Sequence, residues 1–409
     1  MLSTWTLTRH GLGGANSTTG VQRILRYLYS ASLSFTLLML VACSHGSTPG
    51  DPGGGSPPDV GKYSTTPIMG LGTAKTRELG SLLESHRLAD YVIGPWEVDA
   101  ELVRRYYVLA LDGGSSVNAV LPWQISGAAL RHHYTAGFLT SRTSSAGLGL
   151  TNSVLEFPDP GAASAAVREF IELAATEPTL SVGAPIVSHP SASAYIQKAA
   201  NWRRAIAPTD SLIAFSAHDQ YVLVQTAWSP GDLAPAADLI AKTLDRQAPL
   251  VDQFTPTPEG ELAKLLVDPT GLLARTVPIS GAGTSPDGRA VYGIRGALHF
   301  QHDPIRSANT FNDAGLVRLA VAATSVYETQ ETGGALAIAT DFYSEASQVG
   351  TPRGGVEGLL NSQCVSNAGG PDENIYCVVN VEKYAIEVSG PEVDAKQLLA
   401  AQYKLLEAG

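Results

Sequence analysis

Apolar and polar residues along this chain follow two periods that take turns, and the alternation predicts its elements. Residues 152–157, NSVLEF, read as a short strand, and Asp159-Pro160 follows as a helix N-cap with proline at the first helical position. Ala163, Ala166, Val167, Phe170, Ile171 and Ala174 then recur at helical spacing, while Arg168, Glu169 and Glu172 lie off that stripe. Residues 212–215 and 221–224 are apolar runs on either side of polar His218-Asp219-Gln220, the signature of a hairpin. Leu233, Ala236, Ala237, Ile240 and Leu244 mark a further helix.

The same order returns later in the chain. Residues 316–328 read as a strand and residues 331–347 as an alanine-rich helix. Residues 375–381 and 384–388 form a hairpin around Glu382-Lys383, and Leu398, Leu399, Leu405 and Leu406 mark a last helix. The text itself repeats: NSVLEFPDPGAASAAVREF from Asn152 matches TSVYETQETGGALAIATDF from Thr324, and Tyr221 matches Tyr384 after each turn. The expected fold is therefore α+β, with two related strand-helix-hairpin-helix units whose antiparallel sheets carry helices on one face. Residues 248–260, with three prolines, predict the seam, and residues 281–296 a long loop or hairpin. This divides the chain into a leader over 1–42, a tether over 43–66, an N-terminal domain over 67–250 and a C-terminal domain over 251–409.

The leader rests on the stretch LLMLVACS. The uncharged run over residues 31–42 is too short for a membrane-spanning helix, which needs about 20 residues. Arg23 and Arg26 precede it, the basic-then-apolar order of a secretory signal. Leu40-Val41-Ala42-Cys43 resembles the bacterial lipobox, which implies that the Cys43 thiol takes a diacylglyceryl group and that cleavage before it frees an amine for acylation, with palmitate as one such acyl chain. Two acyl chains anchor stably where one holds only marginally. Residues 44–62 are rich in Gly, Pro and Ser, a composition that stays solvated. The expected location is the outer face of the cell membrane, reached through a lipid anchor.

Charge and cysteines narrow the picture. The chain has 38 acidic against 27 basic residues, and loss of the leader with its arginines makes the remainder more acidic still, which argues against nucleic acid as a partner. Of three cysteines, Cys43 is the lipidation candidate, which leaves Cys364 and Cys377 to pair in an oxidising compartment.

Several segments together resemble a known group. The lipobox and tether, LADYVIGPWEVD from Leu88, RGALHF from Arg295, and the strand pair from Tyr376-Cys377 to Tyr384 look like those of uncharacterised mycobacterial and nocardial lipoproteins. The resemblance implies a two-part envelope lipoprotein with the cysteine pair in its second part. It implies no activity and no catalytic residues.

Motifs for chemistry are sparse. The chain has no HExxH, GxSxG or GxxxxGK[ST], and Gly281-Ala282-Gly283 has Pro286 where a dinucleotide loop needs glycine. His299, His302 and Asp303 are the best metal-like cluster, yet Ala297-Leu298 and Phe300 read as strand, where positions three apart face opposite ways. Neighbouring His132-His133 diverge on any element. Ser115-Ser116 after Asp112-Gly113-Gly114 is the candidate nucleophile, against plain turn chemistry. Asp372-Glu373 read as loop charge. Trp96, Trp123, Trp202 and Trp228 all fall in the first half, either filling its core or lining an apolar cleft there.

No catalytic, cofactor or metal residue is assigned on this reading. The expected function is a non-enzymatic module that binds an envelope protein or apolar ligand, and the alternative is a hydrolase of cell-wall or lipid esters whose triad is hidden by distance. An inert structural surface protein is a third reading. The anchor is tested first: a clickable fatty acid should label the wild-type protein, and Cys43→Ala should lose both the label and the membrane fraction. Equal labelling of the variant would sink the lipobox reading.

Overall fold

In the computed structural model, residues 56–407 are described apart from 69, 184, 199–208, 279–288 and 367–373. Cys43, Trp202, Asp372, Glu373 and the Gly281-Ala282-Gly283 stretch lie outside the described residues. The first sheet consists of β1 (Arg104–Leu111), β2 (Ala136–Thr143), β3 (Gly149–Glu156), β4 (Leu180–Val182), β5 (Ser193–Gln197), β6 (Ser211–His218) and β7 (Tyr221–Trp228). Its strands are all antiparallel, in the order β1-β2-β3-β7-β6-β5-β4. The second consists of β8 (Ala290–Tyr292), β9 (Leu316–Val321), β10 (Ser325–Thr329), β11 (Pro352–Arg353), β12 (Gln363–Ser366), β13 (Asn374–Val381) and β14 (Tyr384–Pro391), in the order β11-β12-β13-β14-β10-β9-β8. Read from the other edge, the second order is the first one. The expected α+β fold of two related units is the fold observed.

The repeat holds residue by residue. Glu156 pairs with Tyr221 across β3 and β7, and Glu328 pairs with Tyr384 across β10 and β14. Both hairpin turns bend on a residue in the left-handed region, Asp219 (φ 50°) and Glu382 (φ 47°). Sequence reading took residues 316–328 as one strand, but the chain turns at 322–324 into β9 and β10. Strands β1 and β2 of the first sheet were not foreseen either, because their partly polar texts (RRYYVLAL and AGFLTSRT) hide the strand period.

Nine α-helices dress the sheets among the described residues: α1 (Arg77–Leu88), α2 (Pro95–Val98), α3 (Trp123–Arg131), α4 (Pro160–Ala174), α5 (Ala234–Val251), α6 (Ile294–Leu298), α7 (Pro304–Asp313), α8 (Thr332–Ser347) and α9 (Glu392–Glu407). Asp159 caps α4 as its sequence predicted, its carboxylate accepting from the Ala162 amide with Pro160 in the first turn. Where the hairpin pattern suggested helices on one face of each sheet, they occupy both. Ile213 and Phe215 of β6 join the cluster of α3 and α4, while their neighbours Leu212 and Ala214 join that of α5. In the second sheet, Ile375, Cys377 and Val379 pack with α9 and the intervening Val378 with α8. The reason is that these strands are apolar at successive positions, so both faces need cover.

One apolar cluster runs through both halves, from Phe138, Val154 and Leu223 to Leu319, Ile338 and Phe342. Residues from Pro57 onward accordingly form one compact unit. The last part of the expected tether belongs to it: Val60 packs into the α9 clusters, the Tyr63 hydroxyl donates to Asp394, and Gln397 Nε2 donates to Asp59. The disulfide Cys364–Cys377 joins residues directly opposite each other on β12 and β13 and is buried beneath α9.

A buried glutamine performs the same task in each unit. Gln247 of α5 accepts from the Ile93 amide and donates to the Tyr91 carbonyl; Gln402 of α9 accepts from the Val277 amide and donates to the Arg275 carbonyl. Each carboxamide thus pairs an irregular segment as a strand neighbour would. Its oxygen takes a second bond from the matching repeat position, Asn152 or Thr324. Gln402→Leu should leave an amide, a carbonyl and a hydroxyl buried without partners, at a cost of about 2–4 kcal/mol, and Gln247→Leu a similar amount. Urea unfolding measures both, and a loss under about 0.5 kcal/mol would refute the clamp.

Candidate functional site

A cleft with a volume of about 950 Å³ lies at the seam. One wall is α1, which exists because Thr76 caps it by accepting from the Leu79 amide and because Leu82, Leu83 and Leu88 fall on its buried side. The last turn of α5 supplies Leu250, the following loop Phe254 and Thr257, and the second half Val291, Tyr292, Gly293, Arg295, Val317 and Arg318. The ring of Tyr91 lies 5.1 Å from that of Phe254, and the Arg87 guanidinium sits over Phe254 at 5.2 Å. His86 is 3% exposed and touches Tyr292 edge-on, and among the described residues neither of its ring nitrogens has a hydrogen-bond partner. Burial brings its pKa down to about 4, so the imidazole is neutral at physiological pH.

The far wall is fixed by the short helix α6, which the first half holds at both ends. Asp90 accepts from the Gly293 amide (2.9 Å) and the Gly296 amide (2.8 Å), placing a carboxylate where the helix presents free N–H groups. At the other end, Arg142 of β2 is fully buried and donates to the carbonyls of Leu298, His299, Gln301 and His302, and of Val103 in its own half. Its guanidinium stacks on Trp96 at 5.0 Å. Burial lowers the Arg142 pKa to about 9, with the nearby charge of Arg105 adding to the effect, and it remains a cation at neutral pH. Arg295 gives Nη2 to both oxygens of Glu97 at 2.9 Å. His299, also buried, meets the Ala89 carbonyl through Nε2 and the Thr140 hydroxyl through Nδ1. A carbonyl only accepts, so the proton sits on Nε2.

LADYVIGPWEVD and RGALHF, separate segments in the sequence, are thus one joint. Models of a single family match both sides of it: "Domain of unknown function (DUF7373) N-terminal" over residues 71–267 and "Domain of unknown function (DUF7373) C-terminal" over residues 272–408. The chain belongs to the DUF7373 family. No curated protein matches it. Among solved structures, the extracellular domain of PknH from Mycobacterium tuberculosis matches at 15% identity, covering 38% of this chain and 92% of that one, with a TM-score of 0.27. So low a score bears no argument.

The DUF7373 fold places the sequence candidates elsewhere. His299 follows helix α6 rather than lying on a strand, and its two nitrogens are occupied as described. His302 offers its carbonyl to Arg142, and Asp303 caps α7 by accepting from the Ile305 and Arg306 amides. The three residues therefore do not converge as ligands, and among the described residues no group of three or more His, Cys, Asp or Glu is arranged to hold a metal. Ser116 donates to Asp112 Oδ1 at 2.5 Å and accepts from the Asp112 amide, which is turn chemistry. His132 contacts Glu169 at 2.8 Å, and His133 turns the chain with φ 58°. Trp96 and Trp228 are buried and Trp123 is 74% exposed; the cleft is lined by Tyr91, Phe254 and Tyr292 instead, at the seam and not within the first half. Among the described residues no helix is long and apolar enough to cross a membrane.

Glutamates 84 and 156, which sequence reading missed, lie beside this cleft. Glu84 is fully buried on α1 and accepts from the Thr257 amide and hydroxyl and from Arg87. Glu156 lines a smaller cavity of about 230 Å³, and its Oε2 has no hydrogen-bond partner among the described residues. Its repeat counterpart Glu328 is flanked by Arg318 and Lys383, whereas Glu156 has Ala136 opposite and Gln220 in the turn. Burial, reinforced by Glu84, therefore pushes the Glu156 pKa up to about 8. A raised carboxyl pKa means that the folded state holds a proton the unfolded chain releases, so stability falls as pH rises from about 4.5 to about 8. Relative to wild type, Glu156→Gln should gain stability across that window, by about 1 kcal/mol or more at the upper end. Urea unfolding of both proteins at the two ends checks it, and a pH-independent difference would refute it.

Proposed function

We propose that this DUF7373 protein is a lipid-anchored protein of the cell envelope that binds a small apolar or amphiphilic molecule in the seam cleft without transforming it. The observation that carries the reading is the cleft itself. It is walled by both halves, floored by apolar side chains and edged by a few polar groups, which is the usual make-up of a small-molecule site. The lipobox-like LVAC ending at Cys43 and the leash after it support the location. Tethering confines the folded part near the membrane and raises its effective concentration for ligands held there. Binding is favoured over hydrolysis because, among the described residues, the cleft wall holds no serine and no hydroxyl paired with a histidine. The Thr257 hydroxyl there donates to Glu84, a carboxylate that also accepts from the Thr257 amide and from Arg87. His86, the one histidine there, has neither a hydroxyl nor a carboxylate on its ring nitrogens.

Purified protein should carry envelope-derived small molecules into an organic extract, detected by mass spectrometry, and should show no turnover of ester, peptide or glycan substrates. Turnover that disappears with a single Ser, His or acid substitution would replace the binding reading with the hydrolase.

A further inference from the structure

The polar groups of the cleft indicate what kind of molecule it takes. Both halves contribute apolar side chains to its lining, with Leu83, Tyr91, Leu250 and Phe254 from one and Val291 and Val317 from the other. A hydrocarbon laid there leaves water at little polar cost. The rim has more unused donors than acceptors. Arg318 meets Glu328 through Nε, at 2.9 Å, and Glu328 is held independently by Lys383 at 2.7 Å. Among the described residues the terminal nitrogens of Arg318 make no hydrogen bond. Arg295 spends Nη2 on Glu97, and its Nε is buried with no hydrogen-bond partner among the described residues. The pairing of Tyr292 with Leu319 across β8 and β9 sets Arg318 alongside the chain that leads from Tyr292 to Arg295. On the acidic side, each oxygen of Asp90 accepts from one α6 amide and Glu261 is paired with Lys264.

His86 is the second, independent pointer. It lines the cleft almost fully buried, and both its nitrogens lack partners. Buried polar groups are nearly always hydrogen-bonded, and a neutral imidazole presents one donor and one acceptor. An acid oxygen satisfies the donor, and guanidinium groups are suited to carboxylate and phosphate oxygens in particular. We propose that the seam cleft binds an anionic amphiphile, a single hydrocarbon chain on the floor with a carboxylate or phosphate head against Arg318, Arg295 and His86. This deepens the binding reading and rests on it.

The test uses the full chain carrying Cys43→Ala, so that no anchor competes, stripped of lipid and titrated with cis-parinaric acid, a fluorescent 18-carbon carboxylate. Saturable binding is expected, displaced by lysophosphatidic acid if phosphate heads are also accepted and by an unlabelled fatty acid if carboxylates are preferred. Methyl oleate, which keeps the tail and lacks the charge, should compete at least tenfold more weakly than oleate. Arg318→Gln, which leaves Glu328 with Lys383, should weaken parinaric acid about tenfold. Leu250→Trp should block the floor, and Leu266→Trp at the exposed rim serves if the first variant does not fold. Equal competition by ester and acid, or an Arg318→Gln variant that binds like wild type, would overturn the anionic head. Organic extracts of the unstripped wild type and the blocked variant separate the two levels. A neutral molecule lost on blocking would overturn the ligand class and keep the binding site; no probe binding and no molecule lost would overturn both.

Discussion

One fully buried guanidinium, that of Arg142, joins the two halves of this molecule. Removing a cation from water costs several kcal/mol, and no carboxylate hydrogen-bonds to it here. Five backbone carbonyls accept from it instead, four of them at the C-terminal end of α6, where carbonyls are unsatisfied and the helix dipole favours positive charge. Asp90 supplies the opposite charge at the opposite end of the same helix. A five-residue helix has little stability of its own, so its position is set by these two side chains of the other half. Since Tyr292, Gly293 and Arg295 come immediately before or within it, that position also fixes one wall of the cleft.

The two halves share a plan and differ in charge. Strand order, turn position and the buried glutamine recur in both. At one register position, however, Glu328 has two cations and Glu156 has none. The cationic pair leaves Arg318 at the cleft rim, while the unpaired carboxyl lies against the neighbouring small cavity. Two copies of one unit packed face to face would each present the same surface. Divergence at such positions makes the seam asymmetric, with donors concentrated on the second half and much of the apolar floor on the first.

Much of the fold was legible in the chain. The 3.6 and 2.0 periods, Asp159-Pro160, the two hairpin turns and the repeated text gave the order of elements and the relation between the units, because these depend on neighbours within a few residues. Strands β1 and β2 stayed hidden, since β1 is an edge strand with exposed Arg104 to Tyr107 and β2 carries Arg142 in its interior. The segments from Leu88 and Arg295 stood out as text, but their roles did not, because Asp90 and Gly293 are 203 residues apart.

The sequence by itself determined the α+β class, the duplication and the pairing candidates among its cysteines. Each follows from local spacing or composition. Only the tertiary structure decided which faces the helices cover, where the cleft opens and which charged side chains are left with unused donors. These depend on contacts between distant residues, and a buried Arg, Glu or His reads like a surface one until the fold shows what surrounds it. His299 and Trp96, singled out in the sequence for metal or ligand, became packing partners of Arg142's joint, while His86 and Arg318, unremarked there, came to line the cleft.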